Sequence, residues 1–116
     1  MSEKITIFHN PRCSKSRESL DLLSNSNCEI EIVEYLKDVP SVKDLKAIVK
    51  ILGLKPQDLI RKSEEEFKVH FQGKTLSDAE WIKAMVKYPK LIERPIVRKG
   101  NKAVIGRPPS LVLELI

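Results

Sequence analysis

The chain has 116 residues and a formal net charge of +5; 41% of its residues are hydrophobic and 5% are aromatic. This length suits one domain with one hydrophobic core, so we treat residues 1–116 as a single domain. The apolar stretches are too short for a membrane-spanning helix, and residues 1–4 do not begin the apolar run of a signal peptide. We therefore expect a cytoplasmic protein with no membrane partner, and we take it to be a monomer.

The positive charge permits a nucleic-acid partner, but no other feature supports one. The sequence has no run of five or more like charges, and its three Phe, two Tyr and one Trp are scattered. A platform for single strands would interleave aromatic and basic residues. We therefore predict no nucleic-acid partner. Two cysteines, Cys13 and Cys28, do not make a disulfide framework or a zinc site, and we predict no bound metal.

The N-terminal part of the chain predicts a β-α-β unit. The run Ile5-Thr6-Ile7-Phe8 is β-branched and aromatic, which predicts a buried strand over 4–8, and Pro11 prevents the strand from continuing. Apolar residues recur at helical spacing after Ser14. Glu alternates with apolar residues over 29–35, which predicts a second strand with one buried face. The two strands of such a unit are parallel.

The middle of the chain, approximately residues 41–88, predicts a helical insertion. Ser41 has the sequence of an N-cap, and Gly53 is a plausible C-cap for the helix between them. Capping-box sequences at Ser63 and Ser77 predict two further helix starts.

The sequence returns to strands after this insertion. Residues 95–98 and 103–105 flank a short loop with Gly100-Asn101 at its centre, which is a hairpin signal. A short helix is expected over 110–116. Four strands with helices against them predict an α/β fold, namely a thioredoxin-like four-stranded mixed sheet with flanking helices and an inserted helical subdomain.

The main chemical signal is Cys13, at the predicted junction between the first strand and the first helix. A helix N-terminus carries unpaired N–H groups and partial positive charge, which stabilise a thiolate and attract anions. Arg12, Lys15 and Arg17 add positive charge, and His9 is a further candidate. We predict a reactive thiolate beside an anion site; the alternative is a buried, inert cysteine. Cys28 falls at the far end of the helix and is predicted to be structural.

With these elements in place, the chain resembles the ArsC family, the glutaredoxin-dependent arsenate reductases and their relatives. The likeness covers nearly all of the chain, and the Cys-Ser-Lys-Ser centre is typical of a short branch of the family. Four motifs carry the resemblance, in this order: His9-Asn10-Pro11 before Cys13 with Ser16-Arg17 after it, Leu59-Ile60-Arg61-Lys62, Leu91-Ile92-Glu93-Arg94-Pro95-Ile96-Val97, and Gly106-Arg107-Pro108. The resemblance also implies that Pro95 is cis.

The resemblance implies the roles of the site residues. Cys13 would attack arsenate, and His9 would favour the thiolate. Arg61, Arg94 and Arg107 would surround the oxyanion, since the planar fork of arginine matches such groups. The other candidates for substrate binding lie in the loop and first helical turn around the cysteine: Asn10, Ser14, Lys15, Ser16 and Arg17.

The sequence departs from the characterised reductases in two places. They tend to have Gly-Thr where this chain has Ser14-Lys15, and they usually extend beyond the position that matches Ile116. Because position 16 is Ser, the centre is not a C-x-x-C pair. The implied cycle therefore has no bound cofactor and uses glutathione as co-substrate and glutaredoxin as partner.

Two other functions remain open at this point. A C-x-x-S centre can act as a glutathione-linked thiol oxidoreductase through one cysteine. A relative of this fold, the Spx type, regulates transcription by docking on RNA polymerase and commonly carries a C-x-x-C redox switch, which Ser16 removes here.

Overall fold

A computed structural model of the chain describes residues 4–26 and 28–116. The strands and α-helices are, in chain order, β1 (Ile5–Phe8), α1 (Ser14–Ser24), β2 (Ile30–Val33), α2 (Val42–Leu52), α3 (Glu65–His70), α4 (Asp78–Lys87), β3 (Ile96–Lys99) and β4 (Lys102–Ile105). Short 3-10 helices span Pro56–Leu59, Pro89–Leu91 and Pro109–Leu115. No helix in the described ranges is long and apolar enough to cross a membrane.

The chain divides into two compact units. The first, called the sheet unit here, comprises the residues up to Asp38 together with Arg94–Ile116. The second, called the helical unit, comprises Val39–Glu93. The helical unit has nearly the bounds of the predicted insertion.

The sheet unit contains a four-stranded sheet in the order β2-β1-β3-β4. β1 and β2 are parallel, with Phe8 opposite Val33, while β3 is antiparallel to both β1 and β4. This arrangement confirms the predicted mixed sheet of an α/β fold. The register places Phe8 opposite Ile96, and Ile96 opposite Ile105. The C-terminal ends of β1, β2 and β4 and the N-terminal end of β3 therefore lie side by side.

The hydrophobic core of the sheet unit lies between the sheet, α1 and the C-terminal 3-10 helix. Alternate residues of β1 are buried on it, as a strand with period 2 requires. Its buried members are Ile5, Ile7, Leu23, Val97, Val112 and Leu115. These contacts fix the direction in which α1 leaves the end of β1.

One detail of the sheet unit differs from the sequence prediction. The alternating pattern predicts that β2 buries one apolar face, but Ile32 is 51% exposed. The reason is that β2 is an edge strand, and the core packs against Ile30 without covering Ile32. The short helix predicted over 110–116 is present as the 3-10 helix Pro109–Leu115.

Two of the predicted helix starts in the helical unit are confirmed. Ser41 forms a capping box with Asp44 at the start of α2, and Ser77 forms one with Glu80 at the start of α4. Gly53 ends α2 with a φ of 70°, a left-handed conformation that glycine adopts without steric cost.

The capping box predicted at Ser63 is wrong. α3 begins at Glu65, its N-cap is Glu64, and no side chain caps it. The Glu64 carboxylate instead lies 3.5 Å from Arg61 Nε. The helix therefore starts one residue later than the capping-box sequence predicts.

An aromatic cluster supports the helical unit. Trp81 packs on Phe67 and Phe71, with ring centroids 6.2 and 5.8 Å away, and His70 stacks on Tyr88 at 4.9 Å. A groove of about 400 Å³ runs beside this cluster and has lysines in its lining. None of the predicted site residues lines this groove.

Gly106 is a point of close approach within the sheet unit. A Cβ atom there would lie 2.5 Å from Ser19 Oγ, 2.8 Å from Pro95 Cγ and 3.3 Å from Val112 Cγ1. The Gly106 N–H donates to the carbonyl of Pro95 at 2.9 Å. Glycine at this position therefore lets the residues that follow β4 pack against the start of β3.

We expect Gly106→Ala to destabilise the protein by about 1–3 kcal/mol, the usual cost of overpacking a close-packed interior. The rigid ring of Pro95 and the buried Ser19 leave the new methyl group little room. Urea denaturation measures the effect, with exposed Ser110→Ala as the control, for which we expect a change within about 0.5 kcal/mol. An unchanged denaturation midpoint for Gly106→Ala would contradict the packing described above.

Candidate active site

Cys13 lies at the junction that the sequence predicts, as the N-cap residue of α1. Its backbone is extended, with φ −97° and ψ 122°, and the helix begins at the next residue. The Cys13 N–H donates to the Asn10 carbonyl at 2.9 Å, and the Cys13 carbonyl accepts from the Arg17 N–H at 3.0 Å. The thiol is half-buried and is not in a disulfide. The turn thus holds the sulfur at the N-terminus of the helix.

Two arginines of the sheet unit act on the Cys13 sulfur. Arg107 Nη2 lies 3.8 Å from Sγ, and the Arg94 guanidinium interacts with the thiol by hydrogen bonding and charge. Arg107 Nε also donates to the Arg94 carbonyl at 2.8 Å, so the two residues hold each other in place. Arg94 precedes β3 and Arg107 follows β4, and the strand register brings both to the end of β1.

The environment of Cys13 favours its thiolate. Burial raises the pKa of this thiol, but the Ser16 N–H, the Arg94 guanidinium and the Lys15 N–H together lower the pKa below its ordinary value. No capping hydrogen bond of regular geometry reaches the neutral thiol. The N–H groups nevertheless face the sulfur, as they face the side chain of any N-cap residue. A cysteine that ionises more readily than an ordinary thiol therefore lies beside two guanidiniums.

His9 is positioned by Ser16 rather than by the cysteine. His9 Nδ1 lies 2.6 Å from Ser16 Oγ, which also accepts from the Asn10 N–H at 3.0 Å. Either atom of this pair can donate to the other, and the His9 tautomer determines which one does. The Ser16 side chain is fully buried, so Ser16 faces the thiol through its backbone N–H alone.

The His9 ring is neutral at pH 7. Burial lowers the pKa of His9 below its ordinary value of 6.5; the Glu34 carboxylate opposes this effect, and the Arg17 charge adds to it. His9 therefore supplies no positive charge to the thiolate at this pH. Its place in the structure is that of a positioning residue, which acts on the loop through Ser16.

Some of the remaining loop residues stabilise the turn by hydrogen bonds, and others have exposed side chains. Asn10 Oδ1 accepts from the Arg12 N–H at 3.0 Å, and Arg17 Nη1 donates to the Pro11 carbonyl at 2.9 Å. These bonds hold the turn that presents the cysteine. The side chains of Ser14 and Lys15 are exposed at the start of α1. They are free to meet a ligand, but the structure assigns them no contact.

Arg61 belongs to the helical unit. Its Nη1 donates to Glu93 Oε1 at 3.2 Å, and its Nε lies 3.5 Å from Glu64 Oε1. The Arg61 N–H also donates to the Leu91 carbonyl at 2.7 Å. These contacts fix Arg61 within its own unit, and its convergence with the other two arginines stays a prediction.

Pro95 and Cys28 complete the predicted set. The Arg94–Pro95 peptide bond is cis, the isomer that the resemblance implies, and the Arg107–Pro108 bond is cis as well. Cys28 Sγ donates to the Leu23 carbonyl at 3.1 Å and packs against the hydrophobic core. Within the described ranges, no three His, Cys, Asp or Glu side chains are arranged to hold a metal ion.

Tyr35 is a residue of this site that sequence reasoning missed. It lies two residues beyond β2, and its side chain is only 1% exposed. Burial raises the pKa of the phenol, Arg94 and Asn10 oppose this effect, and the charge of Cys13 adds to it. The available signal was topological, because the carboxyl ends of parallel strands meet at the same edge of a sheet.

We expect iodoacetamide to label Cys13 much faster than Cys28 at pH 6–7. The lowered pKa increases the fraction of Cys13 that is thiolate, the reactive form, whereas the Cys28 thiol is hydrogen-bonded to a backbone carbonyl. Mass spectrometry of tryptic peptides after timed quenching measures both rates. In denaturant the two thiols should react at comparable rates, and comparable rates in the folded protein would contradict the assignment.

Comparisons with known proteins agree with this geometry. The sequence profile of the ArsC family matches residues 8–115. The chain is 45% identical to the uncharacterized protein YfgD of Escherichia coli strain K12, covering 100% of this chain and 99% of that one. It is also 45% identical to an arsenate reductase of Haemophilus influenzae, covering 97% and 98% of the two chains.

A solved structure described as an arsenate reductase from Vibrio cholerae superposes with a TM-score of 0.95 at 43% identity, covering all of both chains. This match confirms the predicted thioredoxin-like fold. The chain belongs to the ArsC family.

Proposed function

We propose that this protein is an oxidoreductase that reduces arsenate to arsenite through a covalent adduct on Cys13. The observation that carries the proposal is the contact of Arg94 and Arg107 with a thiol whose pKa is lowered. A nucleophile and an anion site thus coincide at the end of one helix. Arsenate reductases at 39–45% identity support the choice of oxyanion.

The first step is attack of the Cys13 thiolate on the arsenic of arsenate. A sulfur–arsenic bond forms, and one arsenate oxygen leaves as water after it gains protons. Thiolate and arsenate repel each other, and the two guanidiniums offset this repulsion. Because the transferred negative charge stays near Arg94 and Arg107, the same contacts stabilise the adduct.

The reduction then needs two electrons from thiols outside the chain. Cys28 is hydrogen-bonded to a backbone carbonyl at the other end of α1. The 11 residues of α1 span about 16 Å at 1.5 Å per residue, so Cys28 is too far from Cys13 to supply these electrons. We propose that glutathione adds to the arsenic of the adduct and displaces a second oxygen as water. A glutaredoxin thiolate then attacks the glutathione sulfur and forms a glutaredoxin–glutathione disulfide. The bond between this sulfur and arsenic breaks, and its electron pair reduces arsenic(V) to arsenic(III). Water releases arsenite and restores the Cys13 thiol.

A coupled assay tests this function. NADPH oxidation is followed at 340 nm in the presence of glutathione, glutaredoxin and glutathione reductase. We expect oxidation that depends on both arsenate and the protein, and arsenite as the product in a stoichiometry of one per NADPH. Arsenate-independent oxidation, or none, would contradict the proposal.

One observation favours a second candidate, a glutathione-linked thiol oxidoreductase. The reactive thiol stands alone, because the residue three positions later is the buried Ser16 rather than a second cysteine. A single thiolate of this kind can take glutathione from a mixed disulfide. Turnover of a glutathionylated peptide without arsenate would favour this candidate, provided that arsenate gives no turnover in the coupled assay.

A further inference from the structure

Tyr35 carries a buried hydroxyl that makes no hydrogen bond of regular geometry in the described part of the chain. The whole side chain is almost completely removed from solvent. Burying a hydroxyl without a partner is unfavourable, and buried polar groups in proteins are nearly always satisfied. We therefore expect the hydroxyl of Tyr35 to have a hydrogen-bond partner when the protein binds its ligand.

The position of Tyr35 in the fold connects it to the active site. β1 and β2 are parallel with Phe8 opposite Val33, and the His9 N–H donates to the Val33 carbonyl at 2.8 Å. The next residues of the two segments therefore run side by side, and Tyr35 reaches the turn that presents Cys13. Arg94 and Asn10 approach the phenol oxygen as hydrogen-bond donors, and Cys13 acts on it through its charge, which places all three near this oxygen.

In the described part of the chain no acceptor lies within hydrogen-bond distance of the Tyr35 hydroxyl, although the Cys13 sulfur is near it. Arg94 is a donor only. Asn10 Oδ1 already accepts from the Arg12 N–H, and His9 Nδ1 is occupied by Ser16. Because the pKa of the phenol is raised, the proton stays on the oxygen at the pH values where Cys13 is a thiolate. A protonated hydroxyl beside the Arg94 guanidinium, near the thiol that Arg107 contacts, fits an anion with a hydrogen-bond-accepting oxygen.

We propose that the Tyr35 hydroxyl donates a hydrogen bond to an oxygen of the tetrahedral oxyanion bound beside Cys13. Tyr35 is then a further binding residue, which supplies a neutral, directional donor next to the charged forks of Arg94 and Arg107. A directional donor favours an anion with a correctly placed oxygen over a spherical anion such as chloride. This inference rests on the proposed function only in requiring that the site bind an oxyanion.

The test compares Tyr35→Phe with the matched variant Tyr88→Phe, which removes the same atom from the aromatic cluster of the helical unit. Arsenate and phosphate are the probes, and their dissociation constants follow from the concentrations at which they slow alkylation of Cys13 by iodoacetamide. We expect Tyr35→Phe to weaken binding of both anions by roughly 10- to 150-fold, as for the loss of a hydrogen bond to a charged group. Tyr88→Phe should leave both constants unchanged.

Three further readouts separate this role from others. The fold by which Tyr35→Phe weakens anion binding should be similar at low and high salt, because salt screens the interaction of a neutral donor only weakly. The melting temperature without anion should not fall, since the variant removes an unpaired hydroxyl. The pH profile of Cys13 alkylation without anion should also keep its midpoint.

Unchanged anion constants in Tyr35→Phe would overturn the inference. A marked fall in melting temperature would do so too, because it would show a structural partner for the hydroxyl. A shifted alkylation profile with unchanged anion constants would assign Tyr35 to the thiolate instead. Protection of Cys13 by anions can be measured without turnover. Absence of arsenate reduction would therefore contradict the proposed function but not this inference. Absence of any anion protection in the unaltered protein would overturn both.

Discussion

Cys13→Ser is expected to abolish arsenate turnover, to below the background of the coupled assay, whereas Cys28→Ser should leave turnover within about twofold of the unaltered protein. Serine keeps nearly the shape of the N-cap residue and can still cap α1, so the fold should survive the first change. Its hydroxyl is not ionised at neutral pH and cannot replace the thiolate as nucleophile. Cys28 donates a hydrogen bond at the far end of α1, and serine can do the same.

The coupled assay and a melting curve measure both variants. Anion protection cannot be read by alkylation in Cys13→Ser, so phosphate binding is followed there by calorimetry, which should still detect it. A Cys28→Ser variant that is folded but inactive would show that a second protein thiol takes part. The one-cysteine cycle would then be wrong, and the requirement for an external glutathione would disappear with it.

The position of the reactive cysteine could be predicted because its determinants are local in sequence. Pro11 ends the extended segment, and the residues after Ser14 have helical spacing, so Cys13 had to fall near a helix start. The effects of unpaired N–H groups and neighbouring charge follow from that position alone. The order of elements predicted the mixed sheet for a similar reason, since a β-α-β unit forces parallel strands and a two-residue loop forces antiparallel ones.

The meeting of Arg94 and Arg107 at the cysteine could not be derived from their spacing. It follows from strand register, because Arg94 lies two residues before β3, Arg107 lies two residues after β4, and these strand ends are beside the end of β1. No periodicity reports that register, so these two arginines were named through a family resemblance. Neither the residue pattern nor the family resemblance predicts Tyr35 as a site residue. The pattern over 29–35 places Tyr35 at the end of a strand, whereas β2 ends at Val33.

The errors in the helical start and the strand face have different origins. The sequence at Ser63 fits a capping box, but the carboxylate of Glu64 pairs with Arg61, three residues earlier, and the helix begins after it. Glu and apolar residues do alternate in β2, but its edge position leaves Ile32 without a covering layer. Only in β2 did the lack of a tertiary contact override a correct local pattern.

Replacing either Arg94 or Arg107 by Ala is expected to weaken oxyanion binding by roughly 10- to 150-fold, the loss of a charge-assisted hydrogen bond of about 1.5–3 kcal/mol. Lysine should restore only part of the affinity, because it lacks the planar fork. Arg94→Ala should also move the alkylation profile of Cys13 to higher pH, since this guanidinium helps to lower the pKa of the thiol. The resemblance predicts a similar loss of binding for Arg61→Ala.

Arg98→Ala provides the matched control, because Arg98 Nε donates to the Gly100 carbonyl within the β3–β4 hairpin. It removes one positive charge from the sheet unit but should change anion binding by less than about twofold, an exposed charge being screened by salt. Binding is read from the protection of Cys13 by arsenate, phosphate and sulfate at two salt concentrations. If Arg94→Ala and Arg107→Ala bind these anions no more weakly than Arg98→Ala does, the guanidiniums beside Cys13 are ordinary surface charges. The glutathione-linked thiol oxidoreductase would then explain the thiolate better than an oxyanion reductase.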